Sequence, residues 1–262
     1  MRQSSSFTER SVTEAAMPEA ALVRELARAA RLHELRRAHD DRARALGRLA
    51  RWQASRMAAT YADLAAQPRY ADAIAFFRSD LYGEGEFVQR DADLARVVPM
   101  MVRVLPARLL AALAQATELS ALSQELDQAL LGRLPRADGN FTAAEYCAAF
   151  REPSERAARE HQIALIGEVG AGLDVYVRRP FIEAGLSMMR QPARLAGLGA
   201  LQDFLERGVR AFRKLQGAKE FLSTIDRRER AILEAIFNGD DAPFPEPELP
   251  ASNRLLQPAG RE

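Results

Sequence analysis

Cysteine and histidine are scarce in this chain of 262 residues, and each scarcity excludes a kind of chemistry. The single cysteine, Cys147, can form neither a disulfide within the chain nor a cysteine-based zinc cluster. The histidines are His33, His39 and His161, and none follows a glutamate by three positions, as in the Glu-x-x-His pairs of di-iron bundles. The His-Glu-x-x-His pattern of zinc proteases is also absent. We therefore expect no metal site and no cofactor.

Long apolar runs are lacking as well, and none approaches the ~20 residues that cross a bilayer. The first twenty residues, MRQSSSFTERSVTEAAMPEA, do not contain the apolar core of a signal peptide. Basic and acidic side chains number 37 and 36, so the chain as a whole is not drawn electrostatically to nucleic acid. We expect a cytoplasmic protein that does not span a membrane and has no nucleic-acid partner.

The residues that are abundant favour helices. Alanine, leucine, arginine and glutamate dominate the sequence, and they have high helix propensity. Runs of β-branched and aromatic residues, which favour strands, are rare. Hydrophobic residues at 48% and charged residues at 28% are ordinary for a globular protein. The predicted fold class is all-α, with a single multi-helix, bundle-like domain of about eight helices.

Composition divides the chain into three parts. Residues 1–17 are polar and serine-rich, which predicts a mobile, disordered leader. Residues 18–239 carry the apolar spacing of helices, and two sub-lobes, 18–134 and 141–239, are compatible with that pattern. Residues 240–262 are rich in proline and poor in hydrophobic residues, which predicts an extended or disordered tail.

Local signals predict several helix boundaries. Thr142 and Glu145 have the spacing of a capping box, which predicts that a helix begins there. Asn238-Gly239 is expected to end the last helix of the body. Pro18 suits the first turn of a long helix. Around His39 two alternatives stay open, namely two helices broken at this point or one long helix through it.

The stretch Phe76–Gly83, which reads FFRSDLYG, combines an aromatic pair with a glycine-ended helix. Phe76, Phe77 and Leu81 form a broad apolar face on a helix, and such aromatic pairs are typical of a core. Beyond them, Tyr82, Arg90 and Asp91 lie in or beside a glycine-punctuated turn. A hydroxyl and an Arg–Asp pair there can bind a carboxylate or phosphate, or they can lock the turn against its helix ends.

This stretch resembles the signature of a bacterial helical family, the FFLEELY-motif proteins. In the heptad, the matching residues are Phe76, Phe77, Leu81 and Tyr82, whereas Arg78, Ser79 and Asp80 replace Leu, Glu and Glu. Further matches are Arg90-Asp91, Pro99-Met100-Met101, Leu105-Pro106 and the FLERG run at 204–208. The resemblance spans about residues 70–237. It implies an all-helical fold and carries no activity with it.

The second half of the chain supplies further candidates. His161 can ligate a haem iron axially in a bundle pocket, or it can be a half-exposed polar residue. Gly170 lies in a helical stretch with other glycines, each of which costs about 1 kcal/mol relative to alanine. Either close helix–helix approach or space for a ligand can offset that cost. Gly170, His161 and Asp174 are therefore candidate ligand-binding residues, and Met188 and Met189 can line an adaptable apolar cavity.

These observations favour a non-catalytic binding or adaptor protein. Its apolar cavity or groove, containing glycine and methionine, is expected to take a hydrophobic ligand or a partner helix. The alternative is an enzyme of haem-oxygenase-like helical architecture that acts on a small or lipid-like substrate through Tyr82, Arg90, Asp91 and His161, an analogy at the level of the fold. A homodimer formed through the N-terminal helix is a third hypothesis. The expected partner is thus an unidentified protein or an apolar small molecule.

Overall fold

The computed structural model describes residues 5–37, 39–81, 93, 96–97, 107–136 and 141–247. These residues form helices and loops, with no β-strand among them, which confirms the all-α prediction. The α-helices are α1 (Ser5–Arg37), α2 (Asp40–Thr60), α3 (Ala62–Ala65), α4 (Ala71–Phe76), α5 (Ala107–Arg133), α6 (Ala143–Phe150), α7 (Arg156–Val177), α8 (Pro180–Leu195), α9 (Gly199–Lys214) and α10 (Lys219–Phe237). A π-helical turn (Phe77–Leu81) continues α4, and a 3₁₀ turn (Pro153–Glu155) precedes α7.

The N-terminal part forms two helices, which decides between the two alternatives at His39. The helix α1 ends at Arg37, and α2 begins at Asp40 with His39 as its N-cap residue. Carboxylates in the first turn of α2 interact favourably with the positive end of its dipole. Because α1 begins at Ser5, it covers most of the segment predicted as a leader, and Pro18 lies inside the helix instead of in its first turn.

The apolar stripe of α1 is buried within the molecule. Leu22 and Leu26 form a cluster with Leu110 and Ala114 of α5. An ion pair between Arg28 and a glutamate of α5 lies further along the same contact. The predicted homodimer through this helix would therefore have to use a different face of α1.

The aromatic pair Phe76-Phe77 belongs to the core, as predicted. The ring centroid of Phe77 lies 6.3 Å from that of Phe212 and 5.8 Å from that of Phe221. Phe76 is buried, with its ring 5.4 Å from that of Phe204 in α9. Phe77 joins the π-helical turn to Phe212 of α9 and Phe221 of α10 in what we call the central cluster, which also contains residues of α2.

A second cluster, the tryptophan cluster, surrounds Trp52 of α2. Its indole stacks on Tyr146 at 4.3 Å between centroids and lies 5.1 Å from Phe141. Phe244 joins it at 6.1 Å and is buried, although it belongs to the segment predicted as an extended or disordered tail. Residues 240–247 are non-helical, as expected, but Phe244 anchors them to the body. Residues 248–262 lie outside the described residues.

Both clusters draw on both predicted sub-lobes. Met57 of α2 and Phe221 of α10 belong to the central cluster, and Trp52 of α2 and Ile236 of α10 belong to the tryptophan cluster. The segments 18–134 and 141–239 therefore share both of these clusters. The described residues make a single helical domain.

Two predicted boundaries are confirmed. The hydroxyl of Thr142 accepts a hydrogen bond from the backbone N–H of Glu145, whose carboxylate accepts one from the backbone N–H of Thr142. This capping box begins α6. At the other end, α10 terminates at Phe237, and Gly239 takes a positive φ of 97°, which a glycine adopts without strain. None of the described helices combines the length and apolar character that crossing a bilayer requires.

Candidate interaction surface

Three of the predicted site residues, Tyr82, Arg90 and Asp91, lie outside the described residues. Their grouping as an anion site stays a prediction. Beyond them in the chain, Asp93 is fully buried and lies 3.5 Å from Arg96. Arg96 also donates a hydrogen bond to the carbonyl oxygen of Ala196 at 3.0 Å, which places this point of the chain at the C-terminal end of α8.

His161 and Asp174 lie on one helix but not at one site. They are 13 positions apart on α7, which corresponds to about 20 Å along the helix axis. His161 is half-exposed, with its Nε2 2.9 Å from Glu118 Oε1, and Asp174 pairs with Arg178 one turn further on. The structure does not bring these two residues together around a common pocket.

Gly170 marks a close contact between helices. A Cβ atom built on it would lie 2.5 Å from Cδ2 of Leu222, a side chain of α10. The missing side chain therefore lets α7 and α10 approach closely, and Leu222 occupies the space that a ligand would need. Gly208 of α9 has the same role, because its Cβ would lie 3.0 Å from Cζ of Phe76.

Two shallow depressions lie beside the C-terminal end of α7. One, of about 260 Å³, is lined by Arg178, Phe212, Arg213, Gln216 and Gly217. The other, of about 210 Å³, is lined by Gly167, Ala171, Asp174, Ala218, Lys219 and Leu222. Both arginines of the first depression already bind carboxylates, Asp174 and Glu183. The second depression is lined mainly by apolar residues and includes Gly167 and the predicted site residue Asp174, but no methionine.

Buried charged groups join helices that are distant in the sequence. The guanidinium of Arg56 on α2 donates from Nη1 to Glu229 Oε1 of α10 at 3.0 Å. The hydroxyl of Tyr61 donates to the same oxygen at 2.7 Å. Arg56 is buried, so its carboxylate partner compensates a charge that water cannot reach.

A second polar contact lies between α2 and α5. The amide of Gln53 donates to Asp127 Oδ1 at 2.9 Å. Desolvation raises the pKa of Asp127 above its ordinary value, against the smaller opposing effects of Gln53, Arg159 and Arg36. Burial likewise raises the pKa of Tyr146 nearby. Sequence reasoning missed this group, because its members lie on five different helices and have no common spacing in the chain.

The helix α8 is attached to the rest of the protein along one flank. Only Ala193 of its sixteen residues is buried. Large apolar side chains are exposed on the opposite side: Phe181 is 67% exposed, Met188 79% and Leu195 84%. The sequence analysis expected Met188 to line a cavity, whereas the structure places it at the surface.

The charged residues of α8 all turn toward α9. Arg190 makes two hydrogen bonds with Glu206, at 2.9 and 2.8 Å. Glu183 pairs with Arg213, and Arg194 lies 3.6 Å from Asp203. The outward face consequently carries no charged side chain. We call this face the α8 stripe, formed by Phe181, Ala184, Gly185, Met188, Gln191, Pro192 and Leu195.

Metal ligands are not clustered in the part of the chain that the structure describes. No group of three or more His, Cys, Asp or Glu side chains there could hold a metal ion. Cys147 is buried in the tryptophan cluster, and desolvation raises the pKa of its thiol to about 12. A thiol in that state is a poor nucleophile.

In the described residues these features define an all-helical domain with two aromatic-rich clusters, charges paired within the domain and an amphipathic helix, α8, that exposes its apolar face. The chain belongs to the family described as Domain of unknown function (DUF8198), whose profile matches residues 22–243. No curated protein and no solved structure matches the chain. The resemblance to the FFLEELY-motif proteins stays a prediction.

Proposed function

We propose that the protein is a non-catalytic binding or adaptor protein that holds a partner helix on the α8 stripe. One observation carries the proposal: α8 exposes Phe181, Met188 and Leu195 while its charged residues are bound to α9. Contiguous exposed apolar surface on a globular protein commonly marks an interaction site. The stripe thus takes the place of the predicted cavity or groove.

The shape of the stripe favours a helix over a small molecule. Small-molecule sites are concave and enclose most of the ligand, whereas the face of a single helix is convex. Phe181, Met188 and Leu195 are spaced by seven residues, which is the spacing at which one helix contacts another along its length. Methionine at the centre adapts its shape to a partner at little cost. The space beside Gly170 and beside Gly208 is filled by Leu222 and Phe76.

The proposal is tested by photo-crosslinking from the stripe. A benzophenone amino acid at Phe181 should capture a partner in cells, and the same group at Leu35, an exposed apolar residue of α1, is the matched control. The captured protein must then bind again when both components are purified. Met188→Glu should abolish that binding, and Leu35→Glu should leave it unchanged.

Native mass spectrometry of the freshly purified protein distinguishes the binding of a small ligand from the binding of a partner protein. A bound organic molecule that survives in Met188→Glu would place ligand binding elsewhere and contradict the proposal. An unmodified mass, together with a partner that is lost only in Met188→Glu, supports it. A partner that binds both variants equally would contradict the assignment to the stripe.

A further inference from the structure

The α8 stripe is symmetric about Met188. Phe181 precedes Met188 by seven positions, and Leu195 follows it by seven, so large apolar side chains flank Met188 at equal distances. We infer that the partner is a second copy of this chain, docked with its own α8 stripe antiparallel about a two-fold axis through Met188. The inference rests on the proposed binding function and names the partner of that surface.

The antiparallel arrangement matches the size of the side chains on the two copies. In a two-fold contact the same patch must be complementary to itself. With the axis at Met188, the small Ala184 faces the second copy's Pro192, and Gly185 faces its Gln191. The small Ala184 and Gly185 leave room beside Pro192 and Gln191, which allows the two helices to approach closely. Phe181 then packs against Leu195 of the second copy at each end of the contact.

Charge favours this pairing as well. In a two-fold contact a charged residue near the axis lies close to its own copy, and that like-charge contact is costly. Glu183, Arg190 and Arg194 are turned between about 120° and 160° around the helix axis from Met188. Their ion pairs with α9 hold them away from the contact. The α8 stripe therefore meets no like charge when it docks on itself.

The size of the stripe predicts a weak dimer. Its exposed apolar side chains offer several hundred Å² per copy, which is the size of the largest patch on a typical monomer. Two copies together bury on the order of 1,000 Å², the lower limit for a specific interface. We therefore expect a dissociation constant in the micromolar range.

A lipid surface is the main competing occupant, because an amphipathic helix with arginines can lie on an anionic membrane. Such helices need cationic side chains that are available to the lipid headgroups. Arg190 and Arg194 instead bind Glu206 and Asp203 of α9. The ion pairs of these two arginines and the symmetry about Met188 both favour a second copy as the occupant of the stripe.

Analytical ultracentrifugation over a concentration series tests the inference on the full chain. The wild type should shift from monomer to dimer between low micromolar and several hundred micromolar concentrations. Met188→Glu should weaken the dimer by roughly tenfold or more, since it buries two opposed charges at the axis. Leu35→Glu should behave as the wild type, and circular dichroism should show all three proteins to be folded.

Cysteine crosslinking tests the register. Met188→Cys should form a disulfide-linked dimer on mild oxidation, because position 188 lies on the axis. Phe181→Cys alone should not, since the two copies of position 181 would be about 21 Å apart, whereas Phe181→Cys combined with Leu195→Cys should crosslink. The wild type is the control, because Cys147 is buried with a pKa of about 12.

The outcomes separate this inference from the proposed function. A wild type that stays monomeric, with no crosslink at position 188, overturns the second copy as partner. The proposed function survives that result if a different protein binds the chain and this binding depends on Met188. It fails as well if no protein binds in a way that depends on Met188. Crosslinking by Phe181→Cys alone would overturn the antiparallel register. Co-sedimentation of a monomer with anionic vesicles, lost in Met188→Glu, would replace the second copy by a membrane surface.

Discussion

Leu222 of α10 fills the space beside Gly170 of α7, with its Cδ2 2.5 Å from the position that a Cβ on the glycine would take. Leu222 is itself largely buried, although part of it lines the second depression. The distance between these two helices is therefore set by the absence of one side chain. This contact, and not a bound ligand, accounts for a glycine in the middle of a long helix.

Gly170→Ala should destabilise the protein by about 1–2 kcal/mol, because overpacking outweighs the gain in helix propensity. Gly167→Ala is the matched control on the same helix, since its Cβ would meet nothing within 4 Å. That control should be stabilising by roughly 0.5–1 kcal/mol. Urea unfolding measures both. Equal effects of the two substitutions would show that the contact with Leu222 is not the limiting one.

Phe244→Ala should release the segment after α10 and cost about 3 kcal/mol, as large-to-small changes of buried phenylalanine do. Trp52 is the only tryptophan, so its fluorescence reports directly on the loss of its neighbour. Glu246→Ala, at an exposed position of the same segment, should change neither stability nor emission. Unchanged emission in Phe244→Ala would contradict the anchoring role.

Glu229→Ala should be strongly destabilising, by about 3–5 kcal/mol, because it leaves the buried guanidinium of Arg56 without its carboxylate. Replacing both partners, as Arg56→Met with Glu229→Leu, should cost much less. A double-mutant cycle measured by chemical denaturation gives the coupling between them. Additive effects would mean that the two charges do not compensate each other.

The pH dependence of stability should change in opposite directions at two aspartates. Desolvation raises the pKa of Asp127, so its favourable contribution is full below the ordinary value of 3.8 and is lost as the pH rises through the raised pKa. Arg228 lowers the pKa of Asp63, so that contribution is present above 3.8 and is lost as the pH falls.

The stability of the wild type relative to Asp127→Asn should therefore fall as the pH rises above 3.8 and through the raised pKa. Relative to Asp63→Asn it should rise over the range from acid to neutral pH, by less than about 1 kcal/mol for so exposed a pair. Thermal or urea unfolding at several pH values measures both differences. If both stability differences changed with pH in the same direction, the environments assigned to Asp127 and Asp63 would be wrong.

Features that depend on neighbouring residues could be predicted from the sequence. The capping box of Thr142 and Glu145 needs only three positions of separation, and the end of α10 at Asn238-Gly239 is equally local. The core position of Phe76 also followed from the apolar spacing around it. Such signals depend only on residues within one or two helical turns of each other.

Contacts between distant segments could not be predicted in this way. Arg56 and Glu229 are 173 positions apart, and each looks like an ordinary polar residue of a helix surface. Phe244 lies among prolines, whose composition indicates an extended segment and does not reveal the packing against Trp52. For α8, the sequence contains the spacing of Phe181, Met188 and Leu195, but only the structure shows that this side is exposed while the charged side faces α9.

The sharing of α2 and α10 between the central cluster and the tryptophan cluster has a consequence for how the protein melts. Loosening one cluster removes support from a helix that the other also needs, so neither half can persist alone. We expect one cooperative heat-absorption peak, with the calorimetric and van't Hoff enthalpies equal, instead of two successive transitions. The protein then has a single melting temperature, and damage at either end of α2 or α10 lowers it for the whole molecule.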